Sequence, residues 1–210
     1  MLSDFNKYMK KIFAIILLFL TLSSSVLANK IFISSLGYSF EIPKDYVKYT
    51  RSYLEKNIKR IIAQADEAGF AFTEELLLNQ MSRLEELNPD TFVNKNNILD
   101  SISFSLMEKT PTFTEEELKK DIDKLKKITA EHNGLGDYEF TTFEIFTISV
   151  DGKKGDRMIF DGGLSSYLMC DTWLEFNNEN SLRIIFVKNN TDFESFSSFI
   201  EEIDNSFNFR

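Results

Sequence analysis

The chain has 210 residues, with 24 basic and 33 acidic side chains, a net charge of −9 and one cysteine. That balance excludes nucleic acid as a partner, because phosphate contacts need clustered Lys and Arg, and a lone cysteine excludes an internal disulfide. With 21 Phe against three Pro and eight Gly, the composition describes one folded domain with a large apolar core, free of repeats and low-complexity linkers.

The first 28 residues read as an export signal. Lys10 and Lys11 form a positive start, Ile12 to Leu22 is apolar apart from Thr21, and Val26-Leu27-Ala28 offers small side chains to a signal peptidase. The apolar run is too short for the roughly 20 residues of a bilayer-spanning helix. Met9 would by itself begin a compact signal. Cleavage after Ala28 leaves 29–210 as a single globular α+β domain with no stable membrane span; the alternative is an uncleaved, membrane-tethered form. Removing Lys7, Lys10, Lys11 and Asp4 with the signal moves the net charge from −9 to −11.

Lys30 to Ser34 and Tyr38 to Ile42 predict a hairpin about Leu36-Gly37, and Pro43 ends its second strand. Over about 46–88 the period becomes helical and predicts an inserted helical pair. Leu54, Ile58, Ile61, Ile62 and Ala65 form one stripe, and Leu77, Met81, Leu84 and Leu87 the other. Lys44, Lys48, Arg51, Lys56, Lys59 and Arg60 make the first helix basic, while Glu74, Glu75, Glu85 and Glu86 make the second acidic, so the two charged faces should complement each other.

Ile102, Phe104 and Leu106 alternate with serines and predict a strand with one buried face. Thr114 and Glu117 form a capping box with Phe113 and Leu118 as a hydrophobic staple, opening a helix that Gly134 ends. Tyr138 to Val150 is apolar on both parities, the pattern of a central strand. Asp151 to Asp156 turns the chain into Arg157 to Phe160. Tyr167 to Phe176 and Leu182 to Val187 complete a meander. Thr191 and Glu194 then open a final helix with the stripe Phe196, Phe199, Ile200, Ile203 and Phe207. The fold expected is α+β: an antiparallel sheet, made of the opening hairpin and the C-terminal meander, with helices on both faces.

The opening Leu36-Gly37-Tyr38-Ser39-Phe40-Glu41-Ile42-Pro43-Lys44-Asp45-Tyr46 resembles the start of the PsbP/Mog-like superfamily, and the ending Ile203-Asp204-Asn205-Ser206-Phe207-Asn208-Phe209 is similar too. The resemblance covers Tyr38 to Tyr46 and roughly Ser101 to Phe209. It implies an α/β sandwich and company with small exported bacterial proteins, the photosystem extrinsic protein and the Ran-binding Mog proteins. The family shares no catalytic site, so it assigns no functional residue. The helical pair departs from its pattern, which has a strand soon after the Pro-x-Asp element.

No catalytic constellation stands out. His132, the only His, sits in the last turn of a predicted helix, where a positive charge is favourable. Cys170 shares a parity with Leu168, Thr172 and Leu174 and reads as a small buried hydrophobe, with a nucleophile paired to His132 as the alternative. Asp151, Asp156 and Asp161 miss the spacing of a calcium loop and suit turns. Neither metal nor cofactor is implied. Interface candidates are Trp173, Tyr167 and Asp171, on the opposite face from Cys170, and Arg51 and Lys59 on the basic helix. The function expected is non-enzymatic: an exported protein, periplasmic or secreted, binding a protein or small ligand of the cell envelope. A carboxylate-dependent hydrolase is the alternative.

Overall fold

Two short strands, one at each end of the helical pair, decide how this chain is laid out. The computed structural model describes residues 30–67, 71–87, 90–108, 143–161, 167–177 and 179–210; the N-terminal 28 residues, the expected helix opened by Thr114, and His132 lie outside them. In chain order the elements are β1 (Lys30–Ile33), β2 (Tyr38–Ile42), β3 (Tyr46–Lys48), α1 (Arg51–Glu67), α2 (Glu74–Leu87), β4 (Asp90–Asn94) and β5 (Ser101–Glu108). Then follow β6 (Phe143–Val150), β7 (Lys153–Asp161), β8 (Tyr167–Glu175), β9 (Asn180–Asn189), α3 (Phe193–Ser206) and β10 (Asn208–Phe209). The fold is α+β, and the described residues from Ile31 to Arg210 gather into one compact unit.

The insertion does not begin at 46. Tyr46–Lys48 is a strand, and it pairs antiparallel with β4, Tyr46 opposite Asn94 and Lys48 opposite Phe92. The helical pair is therefore a long excursion from a β-hairpin, and a strand does follow the Pro-x-Asp element. Asp45 makes the corner at a φ of +72°, with its carboxylate 2.7 Å from Lys95 Nζ.

The strands form two antiparallel sheets, not one. The larger runs β3-β4-β5-β9-β8-β7-β6; the smaller is β1-β2-β10. The opening hairpin thus leaves the meander and joins the tail, with Ser39 opposite Asn208 and Tyr38 opposite Phe209. Between the sheets lies an aromatic core. Tyr38, Phe40, Phe92 and Phe104 are fully buried and Phe207 nearly so. The rings stand 5.0 Å apart for Tyr38–Phe104, 5.3 Å for Phe40–Phe92 and 5.2 Å for Tyr38–Phe207, the separations aromatic pairs favour.

α3 closes the same face of the large sheet through Phe196, Phe199, Ile200 and Ile203. Its cap is not the expected Thr191: Asp192 takes that place, accepting from Ser195 N at 2.7 Å, which holds its carboxyl below the usual range. Phe207 lies just past the helix as its C-cap. A buried arginine ties helix to sheet. Arg157 of β7 donates to both carboxylate oxygens of Asp204, at 2.7 and 2.9 Å, and through Nε to Thr172 Oγ1 at 2.9 Å.

A second polar node joins the sheets. The carboxylate of Asp90, 3 % exposed, accepts from Ser34 Oγ, from Tyr38 OH at 2.8 Å and from Lys48 Nζ at 2.9 Å. Three donors, from β2, β3 and the turn after β1, make its burial tolerable. α1 and α2 hold a separate core of Leu54, Ile61, Leu77 and Met81.

Among the described strands β6 is not central. It stands at the edge of the large sheet, paired only with β7 among the described strands, and Phe146 is 38 % exposed. Apolar residues on both parities suggested cover on both sides; an edge strand that leaves its Phe in solvent carries the same pattern. Asp151 and Gly152, at φ +45° and +75°, make the two-residue turn into β7 that a right-handed twist prefers.

Candidate functional site

Alternation along β8 divides its side chains between two environments. Cys170 and Leu174 are fully buried on the core face, the face that α3 covers. Burial raises the Cys170 thiol to about 12, against a smaller opposing pull from Arg157. A thiol so placed is neutral and inert.

The other face carries Asp171 and Trp173. Across the strand pair, Trp173 lies opposite Arg183 of β9, and Asp171 two pairs further along, opposite Ile185. Arg183 Nε donates to both oxygens of Asp171, at 3.0 and 3.1 Å, and Nη2 to Oδ2 at 2.5 Å. The guanidinium lies 5.7 Å from the centre of the half-buried Trp173 ring, within the range of a cation–π contact. Arg183 Nη1 also comes within 4.0 Å of Met107 Sδ.

The electrostatics follow from depth. Asp171 is 6 % exposed; burial raises its carboxyl, and the bonds and charge of Arg183 pull it back. Those bonds hold Arg183 above its own ordinary value. The result is a fixed cation presented beside an aromatic ring. A buried charge pair adds little to net stability, but it orients whatever it holds.

The structure therefore brings Trp173 and Asp171 together and adds Arg183, which the sequence reading missed. Leu182, Ile184 and Phe186 defined β9 by its apolar parity; the hairpin register would have set Arg183 against Trp173. Tyr167 stands on the same parity, but six residues from Trp173 is about 20 Å along a strand. It pairs with Asn189 and is not part of the cluster.

On the helical pair, Arg51 donates to Ser82 Oγ at 3.0 Å and to Glu85 Oε2 at 3.2 Å. Both charged side chains are more than 40 % exposed, so the pair adds at most about 1 kcal/mol. Lys44 and Lys48 precede α1 and do not lie on it. Lys48 is committed to Asp90, and Arg60 donates to Lys95 O at 2.7 Å and Tyr53 OH at 2.9 Å. Lys56 and Lys59 remain as exposed cations. The basic face is thus narrower than its sequence, and apolar packing, with one ion pair among the described residues, joins the helices.

Two further carboxylates are committed to hydrogen bonds, Asp100 within the fold and Asp151 at its surface. Asp100 Oδ1 accepts from Asn97 Nδ2 at 2.9 Å and from Asn189 N at 2.8 Å, and burial raises it. Asp151 Oδ2 accepts from Phe209 N at 2.6 Å. Among the described residues no three His, Cys, Asp or Glu side chains gather as metal ligands would, and no helix is long and apolar enough to cross a membrane.

No family model matches the chain, and no curated protein does. Among solved structures, it is similar to the solution structure of cyanobacterial PsbP (CyanoP) from Synechocystis sp. PCC 6803, at 12% identity and a TM-score of 0.48, covering 89% of this chain and 96% of that one. It is also similar to a crystal structure from Bacteroides thetaiotaomicron VPI-5482, at 10% identity and a TM-score of 0.39, covering 87% of this chain and 48% of that one. The first is a PsbP protein, the family that the opening motif resembles.

Proposed function

We propose that this protein acts by binding, as an accessory module of the cell envelope or secreted fraction, released from its first 28 residues on export. One observation carries the reading: Asp171 fixes Arg183 over the half-buried Trp173, giving a preorganised aromatic and cationic contact on the sheet face away from α3. Preorganised aromatic and Arg side chains are what binding surfaces concentrate energy in. The buried carboxylates Asp90, Asp100 and Asp171 each sit on their own donors, which favours binding over hydrolysis by a carboxylate pair.

The test has two parts. Fractionation of the native host with N-terminal sequencing should find a mature chain beginning at Asn29 outside the cytoplasm; a membrane-bound chain still beginning at Met1 or Met9 overturns export. Pull-down from the envelope fraction should capture a partner that the Trp173→Ala and Arg183→Ala variants lose. Equal capture by all three proteins overturns the surface.

A further inference from the structure

Among the described residues, the four sheet edges are not protected alike. β3 is three residues long and carries Lys48; β10 is two residues; β1 is four and begins with Lys30. Short length and lysine are the ordinary devices that keep an edge from pairing with another chain. β6 has neither. Phe143–Val150 is eight residues, without Lys, Arg or Pro and with Glu144 as its one charge.

The register says which groups it offers. The two-residue turn at Asp151-Gly152 makes Val150 and Lys153 a hydrogen-bonded pair. Alternation then commits the backbone of Ile148, Phe146 and Glu144 to β7, opposite Gly155, Arg157 and Ile159. The N–H and C=O groups of Phe143, Ile145, Thr147 and Ser149 point away from the sheet.

We propose that β6 is a homodimer edge, pairing antiparallel with β6 of a second copy about a two-fold axis at Phe146. This register uses every outward group: Ile145 pairs with Thr147, and Phe143 with Ser149, each twice by symmetry. Moving the axis to Thr147 would set Phe143 against Asp151, a turn residue at φ +45°, and leave three outward pairs in place of four. The axis at Phe146 also sets the two exposed rings opposite each other in a non-hydrogen-bonded pair, where side chains approach most closely. It keeps the lone charges apart: the two Glu144 positions fall four residues from each other, about 14 Å, beyond the screening length at physiological salt. The strand complements itself in pairing and sets neither Glu144 against the other, and that selects a second copy as its occupant. The edge is small, so the association is weak and concentration-dependent.

The experiment uses full-length protein and reads mass by sedimentation equilibrium. The native chain should move toward twice the monomer mass as concentration rises from micromolar to millimolar. Thr147→Pro removes an outward N–H that β7 does not use, a position where an edge strand tolerates proline; it should remain monomeric throughout. Cysteine chemistry supplies an independent reading, because Cys170 is fully buried. Phe146→Cys should oxidise to a covalent dimer, since opposed residues of a non-hydrogen-bonded pair lie about 4.5 Å apart at Cα, within disulfide reach. Ser149→Cys, distant from its own symmetry mate, should not. A monomeric native chain, a dimer that survives Thr147→Pro, or equal crosslinking of the two cysteine variants overturns the proposal.

Discussion

Removing the carboxylate of Asp204 should be among the costlier single changes in this fold. Asp204 lies in the last turn of α3, where the helix dipole disfavours an acidic side chain. Its place is accounted for by Arg157, which is 6 % exposed at the side chain against 19 % for Asp204. Asp204→Ala would leave that guanidinium buried with Thr172 as its remaining acceptor. Breaking a fully buried ion pair costs about 3–5 kcal/mol. The partial access at Asp204 lowers the expectation to about 2–4 kcal/mol, or a fall in Tm of roughly 5–15 °C for a domain of this size. Urea unfolding of Asp204→Ala, Arg157→Met and the double variant Arg157→Met/Asp204→Ala closes a double-mutant cycle. The double variant should recover most of the loss, because two apolar side chains remove the stranded charge. A single-variant loss below about 1 kcal/mol, or a double variant as unstable as the sum of the two singles, refutes the role given to this pair.

Three further outcomes are expected. Burial raises the Asp100 carboxyl, so the folded state binds more protons than the unfolded one between the ordinary carboxylate pKa and the raised value, and stability falls as pH rises through that window. Asp100→Asn keeps an acceptor for Asn189 N–H and should exceed the parent in stability at neutral pH, with the gain vanishing in acid; a gain that grows on acidification contradicts this. Cys170, raised to about 12 by burial, should resist thiol reagents at mildly alkaline pH until denaturant is added, and stoichiometric labelling of the native protein would count against the packing described. Gly155→Ala would place a Cβ 2.1 Å from Trp173 O and 2.9 Å from Leu174 Cα; because backbone must move, a loss of about 2 kcal/mol or more is expected by thermal unfolding, and a neutral substitution would show that β7 and β8 can separate there.

Much of the fold is legible wherever an element is long enough for its period to outweigh chance. The stripes Leu54-Ile61-Ala65, Leu77-Met81 and Phe196-Phe199-Ile200-Ile203 all face cores as their spacing requires. The strands around Phe104, Cys170 and Ile184 were readable from parity alone. What escaped were β3, β4 and β10: β3 and β10, with three and two residues, are too short for a period, and β4, as long as β2, sets Phe92 beside Val93 and shows no alternation. Their pairing depends on partners brought together across the helical excursion and the whole chain. The edge position of β6 escaped for a different reason: composition reports that a strand is apolar, not which neighbours it has. Two of the three residues of the candidate site were legible. Trp173 and Asp171 could be placed on one face from β8 itself, but Arg183 required the register with β9.

The pairing of Tyr38 with Phe209 and of Ser39 with Asn208 also sets the order of events in folding. These partners are about 170 positions apart in the chain, so the loop they close is nearly the whole protein, and contacts of such long sequence separation form late and slowly. Until residue 209 has been synthesised, β2 lacks one neighbour and the aromatic core between the sheets lacks Phe207. A nascent chain of this sequence therefore stays open at its centre, with Tyr38, Phe40 and Phe104 uncovered until its last residues arrive.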